Sequence, residues 1–312
     1  MLSTAVVLAL LALALAWPVP ILLSRAHWPS RAPGTALALW QSIALAGGLS
    51  MIGALLLYGL IPFGAALPDS LAGLGRSLLG APLPVGSRFD HVFALCSALV
   101  LTVHLLLNLA MTIVRSERQR RRHRQLIDLL AFPMPDRPRT RILDHAAPVA
   151  YCLPGASRSV TVLSAGLLEL LGPDELRGVI AHETAHLRQQ HHAVLLAFKS
   201  WHSALPWFPI ANRAENAVAL LVEMLADDQA RRVVPDRTLA RAIALVGAAG
   251  QPGEVPDARA LSAEPDHGPD LVSPRVRRLL APPSRLPIHA RTAVLAVAAS
   301  LLAAPTILLL LL

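Results

Sequence analysis

The sequence predicts a mainly α-helical membrane protein: four transmembrane helices with an inserted cytoplasmic α+β domain that carries a small β-sheet. Three observations predict it. Of 312 residues, 54% are hydrophobic and only 15% charged, too apolar for an ordinary soluble chain of this length. Four uncharged stretches each offer the roughly twenty apolar residues that a hydrocarbon core demands. Between the third and fourth of them, charged and turn-forming residues enter, and short strand patterns alternate with helical ones.

The four stretches run about Leu2 to Leu23, Thr35 to Leu60, His91 to Val114 and Thr292 to Leu312. In the first, Ala12-Leu-Ala14 and Ala14-Leu-Ala16 resemble small-residue cleavage sites. No Lys or Arg precedes the run, however, and it stays apolar to Leu23, so it reads as an anchor rather than a cleaved leader. His104 and Asn108 lie one turn apart in the third stretch. Polar groups at that depth are expected to face other helices.

Orientation follows from the arginines that supply most of the net charge of +8. The third stretch is followed by Arg115-Ser-Glu-Arg-Gln-Arg-Arg-Arg-His-Arg124, with six Arg and one Glu. Arg275, Arg277, Arg278, Arg285 and Arg291 precede the fourth. The positive-inside bias places residues 115 to 290 in the cytoplasm and both termini outside, in a multi-pass protein of the cell membrane. The basic balance is thus topological, and no direct binding of nucleic acid is expected. Three parts result: a three-helix membrane bundle over 1–114, a cytoplasmic domain over 115–290 and a fourth transmembrane helix over 291–312. Two cysteines, Cys96 and Cys152, support neither a disulfide framework nor a cysteine metal site, and Cys152 reads as a small core residue.

The insert opens with a short amphipathic piece, Gln125 to Leu130, and a Pro-rich break, Phe132 to Pro138. Arg141 to Asp144, Val149 to Leu153 and Val160 to Leu163 read as short strands, the last two flanking the turn Pro154-Gly-Ala-Ser-Arg-Ser159. Ser164 can cap a short helix, Ala165 to Leu171. Gly172-Pro-Asp-Glu175 then opens another, since Pro and acidic residues suit a helix N-terminus. Ala211 to Arg232 shows apolar residues at helical spacing. Gly250 to Pro274, rich in Pro, Gly and acid, reads as a loop.

The chemistry lies in His182-Glu-Thr-Ala-His186. Residues four apart share a helix face, so both imidazoles can reach one metal ion. Glu183 stands beside that ion and can take a proton from a water held there. A catalytic zinc needs a third protein ligand and an open fourth position. Glu223, in Glu223-Met-Leu-Ala-Asp227, is the well-placed carboxylate on a later helix. It sits among Leu220, Leu221 and Met224, where an unpaired charge is costly. Asp227, on the same face, can accept the far N–H of a ligand histidine and fix its tautomer. His191 and His192 read as surface residues at a helix end. Together with His202 they are candidates for stabilising an oxyanion, and none is preferred. Arg213 and Glu215 have no assigned role.

The run from Val160 through His182-Glu-Thr-Ala-His186-Leu187, followed by Glu223-Met-Leu-Ala-Asp227, resembles integral membrane gluzincins. The resemblance is strongest to the BlaR/MecR-type antirepressor peptidases and more distant to the HtpX-type and CAAX-processing membrane peptidases. It rests on H-E-x-x-H on one helix and E-x-x-A-D on a later one, over roughly residues 140 to 235. The order of three spans, zinc domain and fourth span extends it to the whole chain. It implies one zinc ion per chain on His182, His186 and Glu223, Glu183 as general base and Asp227 behind a ligand histidine. It implies an endopeptidase that cuts a cytoplasmic protein, with the lipid bilayer and a DNA-binding repressor as partners. The penicillin-binding domain that follows the fourth span in BlaR/MecR sensors has no counterpart before Leu312. A membrane quality-control protease of the HtpX type and a non-enzymatic sensor remain the alternatives.

Overall fold

Pro18 interrupts the first apolar stretch. The computed structural model describes residues 1–134, 137–153, 160–205, 209–249 and 271–311. In it, α1 (Leu2–Ala16) ends at Trp17, and α2 (Pro18–Arg25) starts with that proline at its first position. Proline has no N–H to continue the ladder but is pre-set for a helix start. Then come α3 (Pro33–Leu60), α4 (Leu67–Leu78), α5 (Phe89–Leu130) and, at the far end, α12 (Ile288–Leu310). Among the described residues, four helical segments are long and apolar enough to cross a membrane: Leu2–Arg25, Pro33–Phe63, Phe89–Leu130 and Ile288–Leu310. They match the four predicted stretches, and α4 had no sequence expectation.

The third of these is much longer than expected. The apolar stretch, the arginine run and the amphipathic piece form one helix of 42 residues, about 63 Å at 1.5 Å per residue and about twice a hydrocarbon core. Arginine is a good helix former, and Glu117 accepts a bond from Arg121 Nε one turn on at 2.9 Å, so nothing breaks the helix there.

The chain folds into two compact units. The first comprises Met1–Ala110, Ser200–Ala217 and Leu286–Leu312. Its core joins Ala5 and Leu8 of α1 to Ala54 and Leu57 of α3, with Leu308 and Leu309 of α12 packed against them. Leu10, Leu13, Leu99, Val100, Leu106 and Leu107 point outward. An apolar exterior of this kind suits lipid rather than water and is consistent with a membrane protein.

Residues 200–217 belong to this unit although the sequence placed them in the insert. They include the end of α8 (His191–Ala204). The last carbonyls of a helix lack partners within it. Here His104 Nε2 donates to the Ala204 carbonyl at 3.1 Å, and Asn108 Nδ2 donates to the Ser200 carbonyl at 2.7 Å. The two polar residues of α5 do face another helix. Trp201 lies against Gly48 of α3, where a β-carbon would come within 2.7 Å of the indole ring. A larger residue at 48 would have to push that ring aside.

The second unit comprises Met111–Lys199 and Val218–Arg285. Its sheet has the order β1-β2-β4-β3, from β1 (Ala131–Met134), β2 (Arg137–Leu143), β3 (Ala150–Leu153) and β4 (Val160–Ser164). β1 pairs antiparallel with β2, β2 parallel with β4, and β3 antiparallel with β4. β1 occupies what the sequence presented as a Pro-rich break. Pro133 cannot donate to a ladder, but β1 is an edge strand, where that is tolerated. The predicted turn 154–159 lies outside the described residues, as does 250–270 of the predicted loop. Helix α10 (Asp236–Ala249) precedes it, and the end of that loop is instead helical, α11 (Val272–Leu280), with Pro274 in its first turn.

Tyr151 and Leu153 of β3 point into a core with Ile127, Leu143 and Val162. Cys152 alternates to the other side and is only half-buried, its Sγ 3.3 Å from Thr161 Oγ1. It is not the core residue expected, because strand side chains alternate between faces. Ser164 ends β4 and caps α6 (Ala165–Leu170), its Oγ accepting from the Leu167 N–H at 3.1 Å. Gly166 lies so close to Ala146 that an added β-carbon would stand 1.9 Å from its carbonyl oxygen.

Candidate metal centre

Two helices carry the site, and both are set by their buried faces. α7 (Pro173–Arg188) begins as predicted. The Gly172 N–H donates to Glu175 Oε2 at 2.9 Å, and Pro173 takes the first position. Leu176, Val179 and Ile180 pack against Leu163 and Leu167, and the adjoining strip of the helix, with His182 and His186, meets Glu223 of α9 (Pro209–Ala230). On α9, Leu221, Val222, Met224 and Ala226 are buried. Among them sit Glu223, 3% exposed, and Asp227, 1% exposed. Charges so deep require partners.

The partners are each other's helices. His182 Nε2 lies 3.0 Å from His186 Nε2 and 3.3 Å from Glu223 Oε2, and His186 Nε2 lies 3.3 Å from Glu223 Oε1. A zinc ion with nitrogen and oxygen ligands at its usual bond lengths makes a tetrahedron with edges of about 3.3 Å. The two imidazole nitrogens stand at that order of distance from each other, and each from one of the two Glu223 oxygens. The donor set of two imidazoles and one carboxylate is that of a catalytic zinc site with one position left open. The residues therefore fit the ion. Among the described residues, these three form the one group of histidine, cysteine or acidic side chains close enough together to hold a metal.

Asp227 Oδ1 lies 3.0 Å from His182 Nδ1 and accepts its hydrogen. That bond holds the ring with Nε2 turned to Glu223 and His186. Glu183 is half-buried on α7, beside the two histidines in sequence, and its charge reaches Arg275.

Arg275 is the residue the sequence did not reveal as part of the site. It was expected to be a flanking charge, but on α11 its side chain is only 10% exposed. Its Nη1 donates to Glu223 Oε2 at 2.7 Å, and its Nε and Nη2 fork onto Asp227 at 2.8 and 2.7 Å. Arg278, one turn on, forks onto the adjacent Asp228 at 2.8 and 2.9 Å. Two neighbouring aspartates thus meet two arginines three apart. Nothing in the sequence says which of Arg275, Arg277 and Arg278 turns inward.

The charges shift each other strongly. Burial alone would lower His182, but the carboxylates of Asp227 and Glu223 outweigh it and raise it to about 10. Burial lowers His186 to about 3, with the neighbouring His182 charge adding to the effect. Burial would raise Asp227, but the Arg275 guanidinium beside it wins and holds it at about 2. Without a metal, then, an imidazolium and a guanidinium face the two buried carboxylates.

The remaining histidines depart from expectation. His191 is not a surface residue: it is 2% exposed, with Nδ1 3.1 Å from His186 Nδ1 and Nε2 2.8 Å from Gln189 Oε1. Burial lowers its pKa to about 4. Both ring nitrogens are engaged, so it has no hydrogen to offer an oxyanion. His192 is half-buried. His202 belongs to the first unit, where its Nδ1 pairs with Glu215 Oε2 at 2.7 Å. That bond gives Glu215 a partner the sequence did not suggest.

No solved structure matches the chain. Residues 114–235 match the model of peptidase family M48, a zinc metallopeptidase family, in a segment that contains α7, Glu223 and Asp227 and ends before Arg275.

Proposed function

We propose that the protein is a membrane-embedded, zinc-dependent endopeptidase that hydrolyses peptide bonds of a cytoplasmic protein. The observation that carries this reading is the convergence of His182, His186 and Glu223, with one donor atom of each within 4.8 Å of the others, inside the segment that matches a peptidase family. A zinc ion held by these three would lower the pKa of water in its open position and polarise the scissile carbonyl. Glu183 accepts the proton of the attacking water and passes it to the leaving amine. Asp227 holds His182 in the tautomer that leaves Nε2 free to bind. Arg275 holds one carboxylate oxygen of Glu223 and offsets the negative charge behind the site.

The substrate enters as an extended strand. Among the described residues β3 has a sheet neighbour on one side only, and it packs against α7. A peptide added along β3 makes backbone hydrogen bonds beside the catalytic helix. The arginine run of α5 supports a cytoplasmic second unit with both termini outside. On the resemblance to antirepressor peptidases, the target is a DNA-binding transcriptional repressor, cut after a signal reaches the membrane bundle. The broader alternative is quality-control proteolysis of the HtpX type.

The test uses the full chain in detergent. The native protein is expected to hold about one zinc and to cut a peptide substrate. His186→Ala is expected to lose the zinc. Glu183→Gln is expected to keep it and lose about 10²- to 10⁴-fold in rate. A folded native chain without zinc, or a Glu183→Gln variant that cuts normally, overturns the reading. Comparing cut proteins in cells carrying native chain or Glu183→Gln separates the two substrate classes: one repressor on one side, many unrelated membrane proteins on the other.

A further inference from the structure

A ligand histidine binds a metal well only when its other ring nitrogen is held. For His182 that partner is Asp227. At the Nδ1 of His186 the described residues place not a carboxylate but His191. We propose that His191 is a positioning residue for His186, acting through a relay of neutral groups that ends on Gln189. The inference rests on the metallopeptidase reading above and names how its second histidine is oriented.

The direction of the relay follows from donor and acceptor counts. A neutral imidazole has one N–H and one lone pair. If His186 offers its Nε2 lone pair to the centre, its hydrogen is on Nδ1. That hydrogen points at His191 Nδ1, 3.1 Å away, which must then accept. The hydrogen of His191 is therefore on Nε2, 2.8 Å from Gln189 Oε1, an oxygen that can only accept. Every step has one donor and one acceptor, and the terminal group is the amide oxygen of Gln189, the residue that caps the end of α7. The reverse direction would place a hydrogen on His186 Nε2 and close that ligand position.

The backbone is arranged to make this contact. Had α7 continued, residue 191 would lie about 140° round the helix from residue 186 at 3.6 residues per turn. Instead Gln190 adopts φ 51°, a left-handed conformation that non-glycine residues seldom take. The turn starts α8 at once and brings His191 back over His186, ring edge to ring face, with centroids 4.9 Å apart at 87°. His191 is 2% exposed there, so water does not compete for the bond.

The two histidines thus have unlike supports, an anion behind His182 and a neutral chain behind His186. Glu223 and Asp227 already place two carboxylates at the centre, and a third behind His186 would need another cation. A neutral relay orients the ring without adding charge.

The experiment measures zinc affinity of the full chain by chelator competition, together with the visible spectrum of the cobalt-substituted protein. His191→Phe keeps the ring volume and removes both nitrogens. It is expected to weaken zinc binding about 10- to 100-fold and to change the cobalt bands. His191→Asn, whose Oδ1 can take the place of Nδ1, is expected to restore most of the affinity and the native spectrum. Gln189→Leu cuts only the far end of the relay and is expected to cost a few-fold, which carries the test should the Phe variant fail to fold. Native affinity and spectrum in folded His191→Phe and in Gln189→Leu overturn the proposal while leaving the zinc site intact. A native chain that binds no zinc overturns the metallopeptidase reading itself.

Discussion

Arg275 Nη1 lies 2.7 Å from Glu223 Oε2, so the third candidate ligand is gripped by a cation from a helix that follows it by some fifty residues. The same guanidinium forks onto Asp227. Removing it leaves two buried carboxylates short of a partner. In the metal-free protein, Arg275→Met is expected to cost about 3–5 kcal/mol, seen as a lowered melting temperature in detergent. Saturating zinc should recover part of the loss, because the ion supplies positive charge at the same carboxylate. Equal melting of native and variant chains without metal would show that the ion pair contributes nothing.

Stability of the metal-free protein should peak near pH 6.5. His182 is raised from 6.5 to about 10, so its stabilisation is complete below pH 6.5 and is lost as pH rises through 10. His186 and His191 are lowered from 6.5 to about 3 and about 4. Below 6.5 the unfolded chain takes up protons there that the folded chain refuses, so stability falls on that side as well. Melting curves across pH 4 to 10 in the presence of a chelator check both limbs. A flat profile would contradict the charge arrangement.

Zinc should displace a proton. Near neutral pH the metal-free centre holds His182 protonated, and a metal needs its lone pair. Calorimetric titrations in two buffers of unlike ionisation enthalpy should show about one proton released per zinc bound at pH 7.5. Asp227→Asn, which weakens the hold on that proton, should lower the number released.

A prediction away from the centre concerns Gly166. Its α-hydrogen faces Ala146, and a methyl group there would meet a backbone carbonyl that cannot rotate aside. Gly166→Ala is expected to destabilise by about 1–3 kcal/mol or more. Gly75→Ala, in α4 with open space around its α-carbon, serves as the control and should be neutral or slightly stabilising.

What the sequence disclosed and what it hid follow physical lines. The apolar stretches, the helix-opening Gly172-Pro173-Asp174-Glu175 and the 182/186 and 223/227 spacings were legible because they are local. Each depends on residues within one or two turns. The meeting of α7 with α9 was an expectation from chemistry: buried carboxylates need partners, and few were on offer. Arg275, His191 and the edge strand at Ala131–Met134 were hidden for a different reason. Each depends on where distant segments come to rest, on a left-handed turn at Gln190, or on Pro133 lying at an edge. Arg275 was one of several arginines with an adequate explanation already, and such an explanation conceals a second role.

The docking of α11 has a consequence for a chain that has been nicked. Arg275 and Arg278 fork onto Asp227 and Asp228, and Leu279 packs with Ala230, Leu239 and Ile243. These contacts run between side chains that lie on either side of residues 250–270 in the sequence. A chain cut between Ala249 and Leu271 keeps these side chains on its two pieces and loses the high local concentration that the covalent link gives α11. Two separately expressed pieces, divided there, should complement each other and reassemble the centre.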